Sequence, residues 1–487
     1  MATDGELKHK AARGFFWGGL NNGMVQILGA LFGIVMLRIL TPADYGTIAK
    51  LMVFATLAST IQESGFTAAL CNFKEPSHRH YNAVFWFNIL CSALLYGILF
   101  FCAPLIARLY KEPSLVPLCR YLFLGFFISS WGTVQRAYLF IHLMNKQTCI
   151  IAIVSLIVSN IAGILMAWNG FAYWGLATQH ILFILVVALM NWYYSPWKPS
   201  LKIDLRPAWK MFGFSSKLLL TNIVNNLSSN AFGLLLGMFY GNHTVGIYSN
   251  ARKWDDMCMN TINGMLTGVA QPVLSQVREE KERYKNVFRK MLRFICFISF
   301  PCLLGIGLVA KEFLIIVTGE KWIESATLLS MLSIYGAIFP LHTLYAQMTI
   351  SQGRSNINMW CTLSLSTCIL GGLVGLHSYG IYAMVSYFIS INILWLFIWQ
   401  FFAWKLIGLT LWEALKDILP FLLTSIAVMA LTWWSTRSIQ NPYILLTAKV
   451  SMAVVLYCSL MWICKAKIMR ESIAYVLKRK KTQHEVN

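Results

Sequence analysis

The amino-acid sequence predicts an all-α polytopic membrane protein of about 14 transmembrane helices, arranged as two six-helix bundles with two extra C-terminal helices. Three observations predict it. Of the 487 residues 57% are hydrophobic and 12% charged, the latter about half the share found in soluble domains. Mean hydropathy is +0.61. The apolar residues run in stretches of about 20, enough for a helix to cross about 30 Å of hydrocarbon. A membrane barrel would alternate apolar and polar residues, which these runs do not.

The first apolar run, 14–37, follows the basic residues Lys8, Lys10 and Arg13 and is too long for a signal-peptide core, so it is expected to remain as an anchor. Further spans are expected near 46–70, 83–107, 118–141, 148–168, 173–194, 212–239, 246–272, 287–310, 326–350, 356–377, 380–403, 415–435 and 443–464. Lysine and arginine set the orientation, because positively charged loops resist translocation. With the N-terminus inside, 28 of the 40 basic residues fall on inward segments and seven on outward ones: Arg38, Arg108, Lys111, Arg120, Lys311, Lys321 and Arg437. Both termini are therefore expected in the cytoplasm. The net charge of +21 then faces anionic lipid headgroups and needs no nucleic acid to explain it. The basic segment 466–487 reads as a cytoplasmic tail.

Shifting the chain by 200 residues lays Asn22 on Asn222, Phe32 and Gly33 on Phe232 and Gly233, and Gly46 on Gly246. The identities are few, but both blocks open on a polar-striped helix followed by a short outward turn. Six spans is an even number, so the second block repeats the first in the same orientation, as parallel repeats do. The expected organisation is an N-terminal bundle over 1–195, a second over 196–405, and two additional helices over 406–465.

The twelve cysteines, among them Cys91, Cys102, Cys296, Cys302 and Cys368, are scattered singly through apolar runs and read as small core residues. The nine histidines are equally dispersed, so neither a metal nor a cofactor is expected. There is no G-x-x-x-x-G-K-[ST] phosphate loop. The outward loops are short, which leaves no room for the catalytic loop of a membrane polymerase or glycosyltransferase. Binding chemistry is thus expected among the helices, where polar residues are costly and therefore informative.

Three groups stand out. In span seven Asn222, Asn225, Asn226, Ser229 and Asn230 recur at helical spacing, and Asn22 and Gln26 form a shorter copy in span one. These amides suit a water-filled cavity that binds sugar hydroxyls, and equally suit helix-to-helix packing. Span eight carries Arg252, Asp255 and Asp256, about 8 Å and 12–14 Å from its outward end, with Asn260 and Asn263 continuing the stripe. Arg252 and Asp256 can pair at i,i+4, whether in a wet cavity or as a buried ion pair. Glu63 and Arg136, towards the inner ends of spans two and four, read as lining a cytoplasmic mouth or anchoring the interface. Lys50 and Lys449 are expected to snorkel to headgroups. Arg38, before Thr41 and Pro42, is a gate residue or a cation offsetting a helix dipole.

The segments LRILTPADYG (37–46), GFAYWGLATQH (170–180), FGFSSKLLLTNIVNNLSSN (212–230), GIYSNARKW (246–254), QPVLSQVREEKERYKN (271–286) and GEKWIESATLLSML (319–332) resemble, in order, the polysaccharide and oligosaccharide flippases of the Wzx and WzxC type, in the multidrug, oligosaccharidyl-lipid and polysaccharide exporter superfamily. The resemblance implies two bundles facing each other in a V. Its implied cargo is an undecaprenyl-pyrophosphate-linked sugar repeat unit, moved to the periplasmic leaflet of the bacterial inner membrane for O-antigen, capsule or exopolysaccharide assembly. It implies no enzymatic activity and Arg38, Arg252 and Arg136 as cationic contacts. Membrane lipids and polysaccharide polymerase machinery are the candidate partners, and H+ or Na+ the candidate coupling ion. Asp255, Asp256 and Glu63 are coupling candidates by position alone. A drug or metabolite antiporter of the same superfamily is the alternative.

Overall fold

The structure is a computed structural model that describes residues 23–63, 70, 77–142, 144–201, 204–206, 223, 226, 230 and 232–463. Among them there is no β-strand, and fourteen α-helical segments follow one another in the order expected. They are α1 (Gly23–Ile39), α2 (Pro42–Glu63), α3 (His78–Leu109), α4 (Leu115–Ile141), α5 (Asn145–Trp168), α6 (Tyr173–Tyr194), α7 (232–239 described), α8 (Asn242–Gln276), α9 (Lys281–Val317), α10 (Ile323–Ser351), α11 (Ser355–Leu376), α12 (Ile381–Ile407), α13 (Leu411–Thr436) and α14 (Pro442–Ile463). Ten of these are long and apolar enough to cross a membrane, and the protein is a multi-pass membrane protein. The exceptions are α1, α2, α7 and α8; α8 fails through its own polarity, the property that marked it in the sequence.

By internal packing the chain forms two compact units, Met1–Gly246 and Ile247–Asn487. In the first, α4 is central, packed against α2, α3, α5 and α6, and α5 lies along α6. Its core joins Ile48, Leu51 and Ala55 of α2 to Leu118, Phe123 and Phe126 of α4 and Ala177 of α6. A second cluster gathers Tyr81 and Phe85 of α3, Val134 and Ala137 of α4, and Trp197. Close approach of α5 to α6 depends on two glycines: a Cβ on Gly175 would lie 2.9 Å from the Gly163 carbonyl oxygen. Beside them Gln179 donates to Asn160 Oδ1 at 2.7 Å, the small-residue-plus-amide packing that suits helices in lipid.

In the second unit α10 is central in the same way, against α9, α11 and α12, with α11 along α12. The pairings α3–α4, α4–α5, α4–α6 and α5–α6 thus recur six helices later. A further sign of duplication lies in the first unit. There a Cβ on Gly46 would overlap the carbonyl oxygen of Asn242, and one on Gly246 would overlap that of Pro42. These partners are related by the same 200-residue offset, so the contact is reciprocal, as in an isologous interface.

The last two helices are fixed to α9 by charge at both ends. Arg289 gives Nε to Asp417 Oδ2 at 2.6 Å and Nη2 to Oδ1 at 3.2 Å, while Lys285 reaches Glu413 at 2.8 Å. Further along, Lys449 Nζ lies 2.9 Å from Glu312 Oε1 and also donates to the Leu308 carbonyl. Lys449 is 6% exposed, so it does not snorkel to headgroups as expected; a carboxylate within reach inside the bundle holds it there. Lys50 departs from expectation for the same reason. It is 3% exposed, 3.7 Å from Glu112, with Tyr110 donating to its carbonyl oxygen.

Candidate functional site

Helix α8 is amphipathic in an unusual sense, with one face packed and the next polar. Ile247, Ala251, Trp254, Asp255, Met259, Leu266, Ala270 and Leu274 are buried. Trp254 meets Phe313 of α9 edge-on with centroids 4.9 Å apart, and Ser325 of α10 donates to the Ile247 carbonyl at 3.0 Å. One register round the helix, Asn260, Thr261, Gly264, Thr267 and Gly268 are exposed, with Arg252, Asp256 and Asn263 half-buried. The helix therefore turns a polar stripe away from its own unit.

The structure brings together the three charged residues read from the sequence. Arg252 holds Asp256 with both arms of its fork, Nε to Oδ2 at 3.1 Å and Nη2 to Oδ1 at 2.9 Å. Such bidentate pairing is among the stronger charge-assisted arrangements. Its third nitrogen, Nη1, is buried without a hydrogen bond and lies 3.7 Å from Asp255 Oδ2. The ring of Tyr335 on α10 faces the guanidinium at 5.1 Å. Asp255 is 0% exposed and neither of its oxygens makes a hydrogen bond. It fits against α10 only because residue 336 is glycine, since a Cβ there would overlap Asp255 Oδ1. Arg252 is thus already engaged by two carboxylates, and a bound anion has to compete for it.

The other predicted residues are distributed more widely. Asn260 is exposed on the stripe, and Asn263 beside it has a buried Oδ1 with no hydrogen bond. Asn226 donates to Thr60 Oγ1 of α2 at 2.8 Å, and Asn230 to the Asn226 carbonyl at 2.9 Å, so the Asn226 amide serves helix packing. Gln26 is exposed on α1. Asn22, Asn222 and Asn225 lie outside the described residues, and Glu63 is described only as the last residue of α2. Arg38 and Arg136 are both exposed in the first unit, the one at the end of α1 and the other near the C-terminal end of α4.

One polar cluster escaped the sequence reading. Asn242, which opens α8, donates its amide to both oxygens of Glu112 at 3.0 Å, and Glu112 also neighbours buried Lys50. Lys50 alone was legible as a charge within a span. Glu112 sits in a short turn where an acidic residue attracts no notice.

The sequence profile of the family described as "Polysaccharide biosynthesis protein" matches residues 35–327, which includes the whole of α8. Similar curated proteins include the teichuronic acid biosynthesis protein TuaB of Bacillus subtilis, 26% identical over 62% of either chain. The lipopolysaccharide biosynthesis protein WzxC of Escherichia coli is 25% identical over 75% of this chain and 76% of its own. The succinoglycan biosynthesis transport protein ExoT of Rhizobium meliloti is 20% identical over 70% and 69%. The match therefore spans somewhat under two thirds of TuaB. Among solved structures, the fold is shared with the lipid II flippase MurJ in an inward closed conformation, with a TM-score of 0.75 at 13% identity over 93% of this chain and 99% of that one. It is also shared with an inward-facing multidrug resistance transporter of the MATE family, with a TM-score of 0.60 at 13% identity over 83% and 95%. With more than half its length matched by the profile, the chain belongs to this family of polysaccharide biosynthesis proteins.

Proposed function

We propose that this protein is a flippase for polyprenyl-diphosphate-linked oligosaccharide repeat units in the bacterial cytoplasmic membrane, that it catalyses no covalent chemistry, and that its termini lie in the cytoplasm. The observation that carries the reading is the charged, polar stripe of α8, where Arg252 and Asp256 stand partly exposed on a helix whose other face is packed. A charge within a membrane span is retained where it meets water, a partner or a ligand. A headgroup of diphosphate and sugar needs cationic forks and amide donors, and this stripe supplies Arg252, Asn260 and Asn263. Arg38 and Arg136 are proposed as further cationic contacts. The functional halves are taken as the duplicated blocks 1–195 and 196–405, with 406–465 as an added pair. The inward excess of lysine and arginine favours the orientation. Polymerase machinery is the expected downstream partner.

The test is made in a strain where this gene is the sole flippase for its glycan. Its deletion is expected to leave lipid-linked repeat units shielded from a label applied at the periplasmic face, with surface glycan lost. The wild-type gene should restore both and Arg252→Ala neither, at equal protein level. Repeat units that remain accessible after deletion would refute the reading.

A further inference from the structure

We propose that Arg252 is held in turn by Asp256 and by the cargo diphosphate, and that the aspartate pair binds a proton while the arginine is away, so that one loading event takes up an anion and H+ together. This deepens the flippase reading and rests on it.

The geometry leads there in three steps. First, the fork of Arg252 is occupied. Nε and Nη2 both lie on Asp256, the arrangement a diphosphate would itself demand, so the two anions compete for one set of donors. Second, the charges do not balance: one guanidinium serves two carboxylates on adjacent residues. Asp255 depends on it most. It is fully buried, both oxygens lack hydrogen bonds, and its ion-pair partner is Arg252 at 3.7 Å. Third, among the described residues no other cation lies beside Asp255 to replace the lost one. The titratable and charged groups around Asp255 are Tyr248, Arg252, Asp256 and Cys258 on its own helix and Tyr335 on α10. From α9 comes Leu303, with Cys302 beyond Cys258; Lys253 is turned to the ring of Trp254.

When the guanidinium moves to the diphosphate, two neighbouring carboxylates are left without a cation, and one of them, Asp255, is fully buried, where an unpaired charge is costly. A proton relieves it by forming one O–H bond on one carboxyl, and the proton is returned when Arg252 comes back. The arginine stays charged throughout. A sodium ion is a poorer fit. It needs several oxygens, and beside Asp255 Oδ1 lie Gly336, which has no side chain, and the Leu303 side chain, so neither side chain supplies one.

Titration calorimetry of the purified full chain with farnesyl diphosphate, in two buffers of different ionisation heat, reads proton uptake directly. About one proton per diphosphate is expected, with affinity falling up to tenfold per pH unit on the alkaline side. Asp256→Asn, isosteric and without the competing charge, should bind severalfold more tightly and take up less; the Asp255→Asn/Asp256→Asn pair should take up none. Binding without uptake, uptake that persists in the double variant and so belongs to the diphosphate, or weaker binding by Asp256→Asn would each overturn the exchange while leaving the flippase reading in place. No binding by the wild type would overturn both. If the double variant does not fold, the affinity of Asp256→Asn decides alone.

Discussion

Lys449 and Glu312 offer the sharpest stability test, because they are buried, paired and no part of the α8 stripe. Lys449→Met keeps an unbranched chain of similar length and removes the charge. Glu312, 8% exposed and with Oε2 already lacking a hydrogen bond, would then lose the donor 2.9 Å from Oε1. At that separation the gross attraction is about 6 kcal/mol at an effective dielectric of about 20, much of it offset by desolvation of both ions. Removing one partner of such a pair costs about 3–5 kcal/mol, because the survivor stays buried and unpaired. An ordinary interhelical hydrogen bond in a membrane protein is worth only about 0.6 kcal/mol. Replacing both residues, Lys449→Met with Glu312→Leu, should be close to neutral. Unfolding of the purified protein by SDS titration in mixed micelles, read as a double-mutant cycle, separates the two cases. A single variant that costs under about 1 kcal/mol, or a double variant as costly as the sum of the singles, would refute the account of the pair as a bolt between α9 and α14.

Gly246→Val should destabilise by at least about 1–3 kcal/mol, since the added Cβ meets the Pro42 backbone carbonyl and not a side chain that can turn aside; thermal unfolding checks it, and Gly264→Ala, with open space around it, is the matched control. Gly336→Ala should displace the Asp255 carboxyl and reduce transport more than tenfold, and a variant that transports normally would show that the Asp255 position is unimportant. Outside the spans, two hydrogen bonds from Arg79 hold the Asp204 carboxyl below the usual carboxylate range, with the Arg206 amide adding a smaller contribution. A depressed folded value means that the stabilisation is complete above about pH 4 and is lost as pH falls through the folded value. The melting difference between wild type and Asp204→Asn should therefore be small but present at pH 7 and shrink progressively as the pH is lowered below about 4.

Much of this was legible because lipid imposes simple rules. Apolar runs of the right length mark helices, and so each of the fourteen expected spans coincides with a helix that ends within about seven residues of it, apart from spans one, two, seven and fourteen, whose expected limits extend beyond the described residues. The α8 charges were legible for the complementary reason, that a charge inside a span demands an explanation. Sequence spacing could not tell which partner a long side chain finds. Lys449 and Lys50 have stems able to reach the interface, and whether they do depends on Glu312 and Glu112, which lie 137 and 62 positions away. The same holds for Asn226. Its place on an amide stripe fits a cavity wall, yet its amide donates to Thr60 across a helix contact that only the tertiary structure defines.

The charged clusters of the second unit differ in how they balance, and the difference separates structure from function. Lys449 and Glu312 cancel one for one. The α9–α13 cluster has three cations, Lys285, Arg289 and Arg293, to two anions, Glu413 and Asp417. That surplus occurs towards the N-terminal end of a 37-residue helix about 55 Å long, longer than the hydrocarbon is thick. The α8 cluster has the opposite imbalance, two carboxylates to one guanidinium, and one of the two carboxylates, Asp255, is fully buried. A deficit of positive charge beside a buried carboxylate calls for a proton or another cation, which the proposed exchange supplies. If the role of Arg252 were merely to pin α8, a single aspartate would serve, and Asp255 would be better replaced by an apolar residue packed on Gly336. On the proposed reading the second carboxylate makes the site responsive to a competing anion and to a proton, which is what a transporter requires of a charge it keeps in the membrane.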